Sequence, residues 1–352
     1  MAQIRTGIQA VDPRHALDVG RLEAYVRTRL DDFDGSLHVR QFVGGQSNPT
    51  YHLSDGRREW VLRRKPPGKL VSSAHAVDRE FRVLSALSKV DFLVPRPRIH
   101  CVDESVIGTE FYVMDKIDGR ILIDQTLPGW TPQERRSLYA SQIETLARLH
   151  SFDPAAIGLG DFGKPGNYFA RQIHVWSKQY ANAEVPRSAA MERLMEWLPE
   201  NIPEDPSTTI VHGDFGLNNM ILHPTEPRLV AILDWELSTL GHPLADLTYH
   251  LSQRLSPGGH FEGMTDARLA ELGIPTGEEY VGRYCELTGR RGGIAQLDFY
   301  LAFHLFRTAG IMFGIAGRAK AGTAAGGEAG ELGKLALPLA DRALDLANRL
   351  GA

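Results

Sequence analysis

The sequence predicts an α+β chain in two lobes, a small β-rich one over residues 1–115 and a larger helical one over residues 116–352. Three observations predict it. At 352 residues the chain exceeds what a single hydrophobic core usually serves. Alternating β-type runs crowd the first third, whereas helical periodicity dominates the remainder. Within the helical part, residues 209–236 read TIVHGDFGLNNMILHPTEPRLVAILDWE, an ordered set of polar residues on a strand–loop–strand pattern.

The first lobe opens with a short helix over residues 18–30, where Leu22, Tyr25, Val26 and Leu30 share one face. Alternating runs at 37–43 and 50–53 flank Gly44-Gly45-Gln46-Ser47-Asn48. A glycine-bearing turn between antiparallel strands lets backbone N–H groups approach phosphate oxygens. Alone, however, GGQSN is no more than a hairpin loop, being neither a Walker A nor a G-x-G-x-x-G motif. The next run, EWVLRRK at 59–65, is stopped by Pro66-Pro67-Gly68. Residues 74–87 form a helix with Val77, Phe81, Leu84 and Leu87 in register, and Glu80 falls on the same inward side. Residues 94–99 read as a stiff extended connector, 111–114 as a strand and 115–119 as the linker between lobes.

The second lobe begins with a capping box, Thr131-Pro132-Gln133-Glu134, followed by the stripe Leu138, Ile143, Leu146 and Leu149. His150 ends that stripe and reads as a packing or capping histidine, with no partner evident in sequence. Residues 167–180 carry Tyr168, Phe169, Trp176 and Tyr180, either as core or on the substrate side. In the hairpin, apolar runs at 220–222 and 229–233 enclose the turn-rich His-Pro-Thr-Glu-Pro-Arg. That pairing brings Asn219, at its entrance, toward Asp234, at its exit. An amide oxygen and a carboxylate converging from adjacent strands suit octahedral Mg²⁺, which water and phosphate oxygens complete. Asp214, in the preceding loop, is placed to accept a proton from a hydroxyl nucleophile. This is the layout of a phosphoryl-transfer site. Further on, Asp246 sits at a helix N-terminus, and 297–315 is helical, with Arg307 within it and Arg318 and Lys320 beyond its end. Residues 322–327 are too glycine-rich for a helix, and a closing helix starts at Pro338.

Composition fits a cytoplasmic enzyme. Charged residues make up 23%, hydrophobic ones 43%, and the net charge is −4. With no long basic run, nucleic acid is not an expected partner. Cys101 and Cys285 are too few for a disulfide framework, the N-terminus lacks a signal-peptide core, and His304 and Arg307 interrupt the most apolar late stretch, so no membrane span is expected.

HGDFGLNN resembles the catalytic loop of the aminoglycoside phosphotransferase and choline kinase-like families, which write H-G-D-x-x-x-x-N where protein kinases write H-R-D-x-x-x-x-N. The resemblance implies a two-lobed protein kinase-like fold and transfer of the γ-phosphate of ATP or GTP, with Mg²⁺, to a small-molecule hydroxyl. It makes Asp214 the catalytic base and Asn219 and Asp234 the metal ligands, with Asp234-Trp235-Glu236 in the place of D-F-G. Gly44, Gly45, Ser47 and Asn48 become the phosphate loop. W-V-L-R aligns with the kinase V-A-I-K, which puts Arg63 in the lysine place and Val61 against the adenine; Lys65, on the same face, is the alternative cation. Glu80 takes the part of the helix glutamate that fixes this cation, Asp246 braces the loop backbone, and the adenine edge meets backbone groups around Met114–Ile117. GGQSNPTYHL, VLRRKPPG, VDREFRVLSAL and GHPLADL are most similar to the kinase-like domain fused to some acyl-CoA dehydrogenase family members. That likeness implies a hydroxyacyl or other small metabolite as acceptor, with Arg307 and Arg318 either meeting an anionic substrate or pairing at the surface. The alternatives are an aminoglycoside phosphotransferase conferring antibiotic resistance and a nucleotide-binding regulator without turnover. Acidic and basic residues are equal in number from His250 to the end, which disfavours a polycationic antibiotic substrate.

Overall fold

Period-two alternation builds the sheet that organises the N-terminal part of the chain. The computed structural model describes residues 7–43, 48–66, 76–320 and 329–352. Gly44, Gly45 and Ser47, together with Pro67, Gly68 and the segment 322–327, lie outside these. The chain divides into two units, the first comprising Met1–Trp130, Ala155–Leu159 and Gly216–Ser238, the second Thr131–Pro154, Gly160–Phe215 and Thr239–Ala352.

The first unit contains β1 (Ile8–Gln9), α1 (Val19–Arg27), β2 (His38–Phe42), β3 (Thr50–Ser54), β4 (Glu59–Arg64), α2 (Val77–Ser88), β5 (Pro97–Cys101) and β6 (Phe111–Asp115). The strands form one antiparallel sheet in the order β1-β2-β3-β4-β6-β5. Tyr51, Leu53, Trp60, Leu62, Phe111 and Val113 line one face and pack against Leu22 and Val26 of α1, each such side chain contributing about 1.5–3 kcal/mol by its burial. Asp18 caps α1 by accepting the N–H of Arg21 at 2.9 Å. The expected connector at 94–99 is corrected: its second half is the edge strand β5. Ile99 and Cys101 alternate into the core, and Pro97 is tolerated as first residue of an edge strand.

The hairpin pairs Met220–Leu222 with Leu229–Ile232 in the register Met220↔Ile232. It also binds the segment after β6: Arg120 and Leu222 exchange N–H···O bonds of 2.9 and 2.8 Å. Gly119 permits this approach, since a Cβ there would lie 2.2 Å from the carbonyl oxygen of Leu222.

The second unit is mostly helical. It holds α3 (Pro132–Ser151), α4 (Tyr168–Ala181), α5 (Ala189–Glu200), α6 (Leu244–Ser252), α7 (Asp266–Leu272), α8 (Gly277–Thr288), α9 (Leu297–Lys320), α10 (Ala329–Lys334) and α11 (Ala336–Asn348), with a ribbon pairing Thr209–Val211 and Thr239–Gly241. The capping box at Thr131 is formed in both directions. By length and composition α9 could cross a membrane, yet 72% of its most apolar window is buried within the protein. Phe169 of α4 packs against Phe303 and Tyr300 of α9 at 5.0 and 5.1 Å between ring centroids, which makes it core. The closing helix begins at Ala336 rather than Pro338, whose missing N–H costs nothing in the first turn.

Candidate active site

Strand geometry sets the first cluster. Val61 and Arg63, two apart on β4, point to the same face, and the register Val61↔Met114 puts β6 alongside. Arg63 Nη1 donates to Glu80 Oε1 at 2.5 Å, and Nη1 and Nη2 donate to Asp234 Oδ1 at 3.2 and 3.1 Å. Tyr112 donates its hydroxyl to the other oxygen of Glu80 at 3.3 Å. Glu80 is 1% exposed and Arg63 8%. Burial pushes the Glu80 carboxyl up to about 7 against the pull of Arg63, with Asp234 and Glu236 pushing the same way. Burial works to lower Arg63, but Glu80, Tyr112 and Asp234 hold it above its ordinary value. Arg63 Nε, also buried, has no partner among the described residues.

These groups border a cavity of about 630 Å³ within the first unit. Val61, Met114, Ile117 and Ile221 give it apolar walls, and Asn219 and Asp234 line it with Arg63 and Glu80. Asp115 N–H is taken by the carbonyl of Arg96 at 2.9 Å. Lys65 does not border the cavity; its ammonium pairs with Glu110. Asn48 is fully buried and gives its carbonyl to the hydroxyl of Thr50 at 3.0 Å.

The hairpin ends hold the two candidate metal ligands. Leu233 N–H donates to the Asn219 carbonyl at 2.8 Å, and Asp234 then turns into the left-handed region, φ 65° and ψ 62°. Few non-glycine residues adopt that conformation, and it is held here by the surrounding structure. Asp234 Oδ1 accepts both Arg63 bonds; Oδ2 has no partner among the described residues, and the side chain is 36% exposed. A carboxylate oxygen of Asp234 and the amide oxygen of Asn219, which accepts Asn218 Nδ2 at 3.1 Å, are the hard oxygen donors that Mg²⁺ takes, with water and phosphate completing its coordination.

The second unit carries Asp214. Its loop backbone is held in succession: Asp246 accepts the N–H of His212 at 2.6 Å and of Gly213 at 2.8 Å, and His212 Nδ1 accepts the N–H of Asp214 at 3.2 Å. Gly213 takes φ +85°, which favours glycine at this position. Burial works to raise Asp246, but His150, His212 and these bonds hold it below the usual carboxylate range. His150, for which the sequence showed no partner, lies 3.4 Å from Asp246 and 2.7 Å from the Tyr284 hydroxyl. Arg307 corrects the surface alternative: it is buried, and both terminal nitrogens donate to the carbonyl of Gly213 at 3.2 Å. Tyr249 donates its hydroxyl to Asp214 Oδ1. Sequence reasoning missed Tyr249, although it comes three residues after Asp246 and so shares its helix face.

The family model for the phosphotransferase enzyme family matches residues 38–289. Acyl-CoA dehydrogenase family member 11 of Gallus gallus is 42% identical over 99% of this chain, which spans 46% of that protein. The crystal structure of a Ralstonia eutropha protein assigned to the aminoglycoside phosphotransferases shares 45% identity, covers 95% of this chain and 99% of its own, and superposes with a TM-score of 0.87. A thermostable aminoglycoside phosphotransferase mutant in ternary complex with ADP and hygromycin B, 17% identical, covers 92% of this chain and 98% of its own with a TM-score of 0.59, a likeness of fold. The chain belongs to the phosphotransferase enzyme family and shares its α+β, protein kinase-like fold.

Proposed function

We propose that the protein transfers the γ-phosphoryl group of ATP, or of GTP, to a hydroxyl of a small hydroxyacyl metabolite. The observation that carries this is the convergence of Arg63, Glu80, Asn219 and Asp234 on one cavity with apolar walls. Residues 1–115 would serve the nucleotide, and residues 116–352 the catalytic loop and the acceptor. Val61 and Ile221 offer apolar surface to a purine. Because Asp115 N–H is already engaged, the backbone of Lys116 and Ile117 is left for the adenine edge. Gly44, Gly45, Ser47 and Asn48 are the residues assigned to the phosphates. Arg63, fixed by Glu80, would turn its guanidinium to the phosphates, for which its buried Nε and fork of donors suit it.

Asn219 and Asp234 would hold Mg²⁺, which when bound neutralises developing charge on the transferred group. Asp214 accepts the acceptor's hydroxyl proton as that oxygen forms its bond to the γ-phosphorus, while the bond to the bridging oxygen breaks and nucleoside diphosphate leaves. The hydroxyacyl class rests on the likeness to acyl-CoA dehydrogenase family member 11. A coupled assay of nucleoside diphosphate release, with MgATP or MgGTP against hydroxy acids, their CoA esters and aminoglycosides, tests it. Turnover on a hydroxyacyl compound is expected. Turnover on aminoglycosides alone, or nucleotide binding without turnover on any hydroxyl, would overturn the reading.

A further inference from the structure

Arg307 and Tyr249 lie far along the chain from Asp214, on α9 and α6, yet both converge on its loop. The Gly213–Asp214 peptide is held at each end, its carbonyl by the two terminal nitrogens of Arg307 and its N–H by His212. The carboxylate beyond it is met by the hydroxyl of Tyr249. Arg307 and Tyr249 also support one another, with the guanidinium carbon 5.7 Å from the Tyr249 ring centroid and 5.4 Å from that of Trp176. Tyr249 stands edge-on to His304, 5.9 Å between centroids. A guanidinium buried this deeply is expensive unless its donors are used. Here two of them are spent on one backbone oxygen rather than on a carboxylate, so the cation acts on the loop itself.

We propose that Arg307 and Tyr249 are positioning residues for phosphoryl transfer: Arg307 fixes the Gly213–Asp214 peptide, and Tyr249 fixes the orientation of the Asp214 carboxylate that peptide carries. The proposal rests on Asp214 being the general base. Two of the five N–H donors of Arg307, one on each terminal nitrogen, are engaged on the loop. Tyr249 is a donor suited to the task. Burial and the neighbouring Asp214 hold its phenol well above its ordinary value, so the proton stays on the tyrosine and the carboxylate stays the acceptor.

The test is hydrolysis of MgATP by the full chain, with water in place of the hydroxyl acceptor, measured for wild type, Tyr249→Phe, Arg307→Met, Arg307→Lys and Asp214→Asn. Tyr249→Phe keeps the ring contacts and removes one hydrogen bond, and kcat is expected to fall about tenfold. Arg307→Met leaves the Gly213 carbonyl unheld, and a fall of roughly 100-fold is expected, since small displacements of a catalytic group cost that much. Arg307→Lys restores a cation and is expected to recover about tenfold of this. The KM for MgATP should stay within about twofold throughout, because neither residue borders the nucleotide cavity. Should Arg307→Met fail to fold, the phenylalanine and lysine variants carry the test. A wild-type kcat in Tyr249→Phe and Arg307→Lys, beside an Asp214→Asn that has lost turnover, would overturn this inference and leave the base assignment standing. An Asp214→Asn that turns over normally would overturn the base assignment and this inference with it.

Discussion

Arg63 links two buried or half-buried carboxylates, so removing it perturbs stability and nucleotide binding together. In Arg63→Ala, Glu80 stays 1% exposed with its Arg63 bond gone, and Asp234 loses both bonds to Oδ1. Deleting one partner of a buried pair costs about 3–5 kcal/mol, which lowers Tm by roughly 10 °C for a folding unit of this size. Arg63→Lys keeps the charge, but one ammonium replaces a planar fork that now reaches both carboxylates. About half of the loss should return. Arg63→Met combined with Glu80→Gln removes both charges and should restore stability without restoring nucleotide affinity. Lys65→Ala is the control. Its partner Glu110 lies outside the cavity, so stability should change by about 1 kcal/mol at most. Differential scanning calorimetry and isothermal titration with a non-hydrolysable ATP analogue read both effects. An unchanged Tm and affinity in Arg63→Ala, or a stronger effect of Lys65→Ala, would refute the reasoning.

Three further outcomes rest on single contacts. Gly119→Ala places a methyl 2.2 Å from the Leu222 carbonyl and 2.3 Å from Ile221 Cγ2, so a destabilisation of about 2–3 kcal/mol with weakened nucleotide binding is expected in calorimetry and titration; a variant as stable as wild type would show that the segment yields. In titrations of nucleotide analogue at several Mg²⁺ concentrations, Asp234→Ala should weaken metal-dependent binding more than Asn219→Ala, because it removes a formal charge; equal, metal-independent binding in both would remove the hairpin as the metal site. Glu80, pushed up to about 7 by burial, keeps a proton in the folded protein that the unfolded chain releases near its ordinary value. Its contribution is therefore full below about pH 4.5 and lost as pH rises through about 7. Melting temperatures should fall between about pH 5 and pH 8 in wild type, and Glu80→Gln should flatten that dependence; parallel curves would contradict it.

Local signals carried the hairpin into view. Two apolar runs around a proline-bearing turn set its register, and that register placed Asn219 and Asp234 at its ends, where both border the cavity. Helical spacing likewise put Glu80 on the inward face of α2. Other features depend on contacts that spacing does not encode. The three-residue ribbon Thr209–Val211 with Thr239–Gly241 is too short to show alternation. The left-handed turn at Asp234 arises from tertiary surroundings rather than from residue type. Arg307 reads in sequence as one charge within an apolar helix, and only the fold brings it to the carbonyl of Gly213, 94 residues earlier in the chain.

Asp214→Asn tests the central claim most directly, since it keeps the shape and hydrogen-bonding capacity of the side chain while removing the proton acceptor. Asp214 does not line the cavity proposed for the nucleotide, so MgATP affinity by titration should be nearly unchanged. Turnover on the hydroxyl acceptor should fall roughly 10²–10⁴-fold, the usual worth of a positioned general base. Wild-type turnover in this variant, with nucleotide binding intact, would contradict the assignment of Asp214 and the phosphoryl-transfer mechanism built on it.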